Sequence, residues 1–323
     1  MKDSLQASFQ IIKAKWPVHT LMYLVSLLLS AIPFFVFYQI LEKEAGQSIL
    51  LNELVPDFNF MVFGDFWNAS GKDFKPVFWY SLGAGFIGSL VYTFFSGGVI
   101  DELSNSKRLF NFSRFFKQSA RFFPEYLGLL VFLGILLFVF FLVSGLIYFI
   151  FASIAHGSTE RGYFFWLLPP SFILFVFMSF GLVLSFYAKV FMYKEPRIGF
   201  VTAFWEAFYY IFRRKESVFI FWGIGLIGVG VLLIYLLLDK YIGMRSGFTI
   251  TVFFVFQQVL IFSKFVLKHW NYAAALDYFE RNPMLFFKEP IIDIAIIEFS
   301  KEEDINSIIP DKSADESSKL SED

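Results

Sequence analysis

The sequence predicts an all-α protein, a polytopic bundle of six transmembrane helices, on three observations. Of 323 residues, 57% are hydrophobic and 17% charged, against roughly 45–50% and about 25% in an ordinary soluble domain. The chain holds 49 Phe, more apolar surface than a soluble monomer conceals without large exposed patches. Six stretches also reach the roughly 20 apolar residues that a hydrocarbon core about 30 Å thick demands of a helix. Backbone groups in lipid must pair within their own segment, which selects helices. Barrel strands would alternate over about ten residues instead of running uniformly apolar.

Taken in order, the spans fall at about 18–40, 77–100, 126–151, 163–187, 217–238 and 247–267. Met1 to Trp16 is polar and amphipathic, and no small-residue cleavage site follows the first apolar run, so no cleaved signal peptide is expected. Leu41 to Pro76 is the long outer connection; its stretch Asp57 to Trp67 mixes Phe58, Phe60, Phe63, Phe66 and Trp67 with acids and is expected to hug the outer interface or plug a cavity. Asn68-Ala69-Ser70 fits a glycosylation acceptor on that side, a motif common by chance. Pro169 and Pro170 should kink the fourth span or mark its start. The integral domain is read as 1–280 and a tail as 281–323, disordered beyond about 310, where Ser, Asp, Glu and Lys dominate.

Orientation follows the Lys and Arg in alternate connections. The N-terminus, the second and fourth connections and the segment ending and following the last span carry 21 of the 27; the other side has Lys43, Lys72, Lys75, Arg161, Lys240 and Arg245. Both termini are therefore expected in the cytoplasm.

The basic connections carry apolar residues at helical spacing, as helices lying in the membrane interface would. Phe112, Phe115, Phe116, Ser119, Phe122 and Phe123 form one stripe, which Ser113 could cap. Phe200, Val201, Phe204, Trp205, Phe208, Ile211 and Phe212 form a second, and Leu5, Phe9, Ile12 and Trp16 a shorter third. The first two align without gaps, pairing Phe115 with Phe204, Phe116 with Trp205 and Phe123 with Phe212. The chain thus parses as three parallel units of interfacial helix, span, span, either a true duplication or a recurrence of juxtamembrane amphipathic helices.

Gly83, Gly85 and Gly88 match Gly223, Gly225 and Gly228, each set reading G-x-G-x-x-G. No strand precedes either, so a dinucleotide site is rejected in favour of close helix packing. Gln257 and Gln258 are the most polar side chains deep in a span; they are expected to bond across helices, and could line a polar pathway. His19, His156 and His269 sit in separate flanks without metal-site spacing and are read as bland surface groups. Asp101 and Glu102, and Glu195, lie at the cytoplasmic border, where they could hold a cation or headgroup amine but are expected to meet Lys or Arg. Lys264 can snorkel. With no Cys, disulfides and thiolate chemistry are excluded, and a net charge of −1 gives no field for nucleic acid. No catalytic, cofactor or metal set is found.

Gly97-Gly98-Val99-Ile100, the Phe112 to Phe123 segment leading into a span, and the equivalent Lys194 to Phe212 arrangement resemble a group of bacterial six-helix membrane proteins, similar to the membrane domain beside the catalytic domain of some glycerophosphodiester phosphodiesterases. The resemblance spans most of 1–280, and the hydrolase domain has no counterpart. It implies a bacterial inner-membrane location and carries no catalytic residues across. The expected function is a non-enzymatic scaffold or lipid-organising protein, the alternative a transporter or channel. The expected partners are the lipid bilayer and either another membrane protein or a second copy, not nucleic acid.

Overall fold

A computed structural model describes residues 2–45, 60–242 and 246–283. Among them are nine helices and no strand: α1 (Lys2–Ala14), α2 (Trp16–Ala45), α3 (Phe60–Ser70), α4 (Lys75–Ser104), α5 (Phe112–Ala155), α6 (Glu160–Lys194), α7 (Phe200–Arg213), α8 (Glu216–Ile242) and α9 (Gly247–Arg281). The long helices α2, α4, α5, α6, α8 and α9 are each apolar and long enough to cross a membrane. They coincide with the six expected spans and extend beyond them. Asp57 and Phe58, and the tail from 284 onward, lie outside the described residues.

Junction chemistry explains where the helices break. Asn111 takes an extended conformation and its side chain accepts from the Arg114 backbone N–H at 3.1 Å, so it, and not Ser113, caps α5. Thr159 caps α6 in the same way through Gly162. Pro169 and Pro170 both lie inside α6, which runs through them, so neither marks the start of the span. Within the outer connection, α3 stacks Phe63 on Trp67 and Trp67 on Phe74, and Phe74 packs on Phe37 of α2.

The spans are held together chiefly at one end. Buried residues run from Thr93 to Leu103 in α4, from Val183 to Met192 in α6 and from His269 to Phe279 in α9. The opposite halves present Phe34 and Phe35, Phe138 and Phe141, and Leu232 and Leu233 to the surroundings, as hydrocarbon permits. The packed end is also where α1, α7 and the first turns of α5 lie, and it carries the Lys- and Arg-rich connections; we call it the basic side. The C-terminal part of α9 is its hub: Trp270 packs on Phe9 of α1, Tyr272 on Phe186 of α6, and Phe279 on both Phe191 of α6 and Tyr210 of α7.

At Gly97 and Gly98, α4 comes against the backbone of α5. A Cβ added at Gly98 would stand 2.6 Å from the Phe115 carbonyl oxygen and from Ser119 Oγ, and one at Gly97 2.8 Å from the Gln118 carbonyl. Only glycine lets the backbones approach this far. The glycines expected to pack do not: Gly83, Gly85, Gly223 and Gly225 have nothing within 4 Å of an added Cβ, and Gly88 meets Leu29 only at 3.8 Å. Gly228 alone is tight, with Leu267 at 3.1 Å. Gly85 and Gly88, and Gly225, border cavities instead.

The three amphipathic stripes are split rather than uniformly interfacial. The stripe from Phe112 to Phe123 is the first three turns of α5, continuous with the span across Pro124, in a helix about 66 Å long at 1.5 Å per residue. Phe115, Ser119 and Phe122 are buried against α4 and α6, whereas Phe112 and Phe116 are exposed and Phe123 is half-buried. On α7, Phe204 and Ile211 are buried and Trp205 and Phe212 exposed, with Phe208 between; the aligned pairs Phe115 with Phe204 and Phe116 with Trp205 share their burial, whereas Phe123 is half-buried and Phe212 exposed. Along α1 and the break after it Ser4, Ser8, Ile12 and Lys15 are buried; of the apolar stripe only Ile12 is among them, Leu5 being half-buried and Phe9 and Trp16 exposed. An amphipathic segment followed by two long apolar helices occurs three times along the chain, with α3 inserted between α2 and α4.

Candidate functional site

Two polar clusters are buried on the basic side, and they differ in charge balance. In the first, Lys15, at the break between α1 and α2, donates to Glu102 Oε2 at 2.8 Å and to the Arg108 carbonyl at 2.7 Å. Arg114, near the start of α5, donates to Glu102 Oε1 and faces Asp101 Oδ2 with Nε at 3.2 Å, an ionic contact without hydrogen-bond alignment. Tyr193 of α6 donates to Asp101 Oδ1 at 3.0 Å. Glu102 and Lys15 are 0% and 2% exposed. Two carboxylates meet two cations, as border acids were expected to, and the cluster ties α1, α4, α5 and α6 together. Lys194 is likewise paired, with Glu280.

The second cluster contains no acid. His19 of α2 and His269 of α9, read from sequence as surface groups, are 2% and 0% exposed, and their Nδ1 atoms are 2.7 Å apart. His19 Nε2 lies 3.1 Å from the Ile12 carbonyl, which can only accept, so that nitrogen carries the proton. In a neutral pair His19 Nδ1 then accepts from His269 Nδ1–H, and His269 Nε2 accepts from Tyr92, whose hydroxyl is 3.2 Å away. One tautomer set thus satisfies the whole chain of donors from Tyr92 to Ile12. His156 is separate, at the C-cap of α5.

Beside this chain Lys268 lies over the Tyr92 ring with Nζ 3.3 Å from the centroid. One helical turn further along α9, Tyr272 receives a long hydrogen bond of 3.4 Å from Lys189 of α6, itself 7% exposed and 5.6 Å from the centroid of Tyr126. Tyr126 in turn donates to the Lys189 carbonyl at 3.0 Å. Among the described residues neither Lys189 nor Lys268 has a carboxylate partner.

This cluster closes the inner end of a groove between α2 and α4, a cavity of about 370 Å³. Ser26, Ser30, Ser81, Ala84, Gly85 and Gly88 make its sides; Met22, Tyr92 and Phe265 make its end. Exposure falls along it, from exposed Ser30 and Ser81 to buried Met22. Gly85 and Gly88, expected at a helix contact, instead keep it open. Gly225 has the same part in a second cavity of about 450 Å³ between α6 and α8, whose one polar pair, Trp222 to Ser179 at 2.7 Å, is already satisfied.

Gln257 and Gln258 are each engaged across helices: Gln257 donates to the Tyr235 hydroxyl of α8 at 3.0 Å, and Gln258 accepts from Tyr23 of α2 at 2.7 Å. On α7, burial pushes the Glu206 carboxyl up from its ordinary value and Glu195 adds like-charge repulsion; Glu206 Oε2 has no hydrogen-bond partner. Burial raises the Tyr210 hydroxyl too. Glu195 therefore does not join Asp101 and Glu102. Among the described residues no three His, Asp or Glu side chains are grouped to hold a metal ion. Lys264 is exposed, as a snorkelling residue would be.

Fold and site together define a multi-pass α-helical membrane protein with a lateral groove ending on the half-buried aromatic side chains Tyr92 and Phe265. Comparison with family models, curated proteins and solved structures yields no match.

Proposed function

We propose that this protein holds and organises lipid and is not an enzyme, with both termini in the cytoplasm of a bacterial inner membrane. The observation that carries this reading is the α2–α4 groove: it opens among lipid-facing residues, is sided by small ones and narrows onto Tyr92 and Phe265. Such a shape accepts a hydrocarbon chain lengthwise. The Asp101 and Glu102 carboxylates are bound up in ion pairs, and the residues lining the groove include no acid that could serve as a general base there. A channel along Gln257 and Gln258 is disfavoured because both amides are paired with tyrosines on different neighbours. The resemblance to the membrane domain of some glycerophosphodiester phosphodiesterases supplies no reaction.

Native mass spectrometry of the full chain, gently extracted, tests the reading. One lipid molecule should stay bound per chain, and Gly88→Leu should displace it. A chain that sheds all lipid under mild conditions would refute it. For orientation, an impermeant thiol reagent should leave Ser113→Cys unlabelled in intact cells and label it once the inner face is exposed; labelling in intact cells would reverse the assignment.

A further inference from the structure

Resting on that reading, we infer that the groove is selective for an anionic phospholipid, its acyl chain between α2 and α4 and its phosphate against Lys268, with Lys189 behind. The groove reaches Phe265 and Tyr92; Lys268 is the next turn of α9 after Phe265 and its ammonium touches the Tyr92 ring. Tyr272, again one turn on, receives the hydrogen bond from Lys189.

The charge balance sets the sign of the occupant. The neighbouring cluster of Lys15, Arg114, Asp101 and Glu102 is internally neutral, whereas Lys189 and Lys268 have no carboxylate partner among the described residues. Lys189 has three N–H donors and one long bond to Tyr272. A cation desolvated in this way calls for an anion. A zwitterionic headgroup would bring an amine with no acid to receive it. The aromatic faces that could cradle a quaternary ammonium are already occupied, Tyr92 by Lys268 and Tyr126 by Lys189. The His19–His269 pair adds no charge as long as its donors run from Tyr92 to Ile12, and it fixes the Tyr92 ring that forms the floor.

The test is titration of the delipidated full chain in neutral detergent with dioleoyl phosphatidylglycerol, dioleoyl phosphatidylcholine and inorganic phosphate, read by native mass spectrometry. Phosphatidylglycerol should bind once per chain and at least tenfold more tightly than phosphatidylcholine. Lys268→Gln, at a half-buried position, should lower phosphatidylglycerol affinity to the level of phosphatidylcholine, and Lys268→Arg should keep the preference. Equal stoichiometric binding of the two lipids, or a preference untouched by Lys268→Gln, overturns the inference and leaves lipid holding intact. Binding of neither lipid overturns both. Displacement of phosphatidylglycerol by millimolar phosphate would assign the site to a soluble anion and overturn the lipid assignment.

Discussion

Glu102 is the residue on which the neutral cluster depends, because it accepts from both Lys15 and Arg114 while fully buried. Glu102→Ala leaves Lys15 as an unpaired buried cation and should cost about 3–5 kcal/mol. Adding Lys15→Met should return part of that loss, so the pair will be strongly non-additive in thermal unfolding in detergent; additive losses would show that the two side chains do not interact. Glu206 gives a pH signature of opposite sense to an ion-paired acid. Its folded-state pKa is raised by burial first and by Glu195 second, so the folded chain binds that proton more readily than the unfolded chain does. Stability contributed through Glu206 is therefore greatest below the ordinary carboxylate pKa and declines as pH rises through the raised value. Glu206→Gln should flatten that part of the stability profile, and an unchanged slope would contradict the assignment. Partnerships such as these were only partly legible in the sequence. Asp101 and Glu102 follow an apolar run among basic residues, and a pairing could be expected from that alone. His19 and His269 lie 250 residues apart, each beside polar neighbours at a span border, and nothing local distinguishes a buried histidine there from a surface one.

Each helix is written in local hydropathy, but which of its faces packs is decided by neighbours distant in sequence. The six spans were legible because an 18-residue apolar window is a local property, insensitive to what the helix touches. The stripe of Phe112 to Phe123 was legible as amphipathic, yet Phe115 and Phe122 turn into the bundle and Phe112 and Phe116 out of it. The outcome depends on Gly97 and Gly98, which admit the α5 backbone. Glycine spacing misled for the same reason: G-x-G-x-x-G marks small residues, and small residues border grooves as readily as contacts. This gives a paired prediction. Gly98→Ala places a methyl 2.6 Å from the Phe115 carbonyl and should destabilise by about 1–3 kcal/mol through overpacking. Gly83→Ala meets open space and should leave stability unchanged or raise it by about 0.5–1 kcal/mol through helix propensity. Equal effects at the two positions in thermal unfolding would contradict the crossing described.

At the scale of the molecule, the packed basic side and the separated apolar halves make a bundle with room for lipid between its spans. Membrane class and the six-span count were legible from composition and run length. The groove was not, since it is made by the divergence of α2 and α4 and by α9, which arrives some 170 residues after Tyr92 in the chain. The absence of Cys makes one measurement direct. A bimane fluorophore on Ser26→Cys, inside the groove, is compared with one on Leu28→Cys, on the exposed face of α2, in bilayers containing phospholipid with brominated acyl chains. If the groove holds a lipid chain, quenching at position 26 will saturate at a low fraction of brominated anionic phospholipid, while quenching at position 28 rises in proportion to the bulk fraction. Proportional quenching at both positions would mean that lipid meets the groove no differently from the rest of the surface, and would contradict the account.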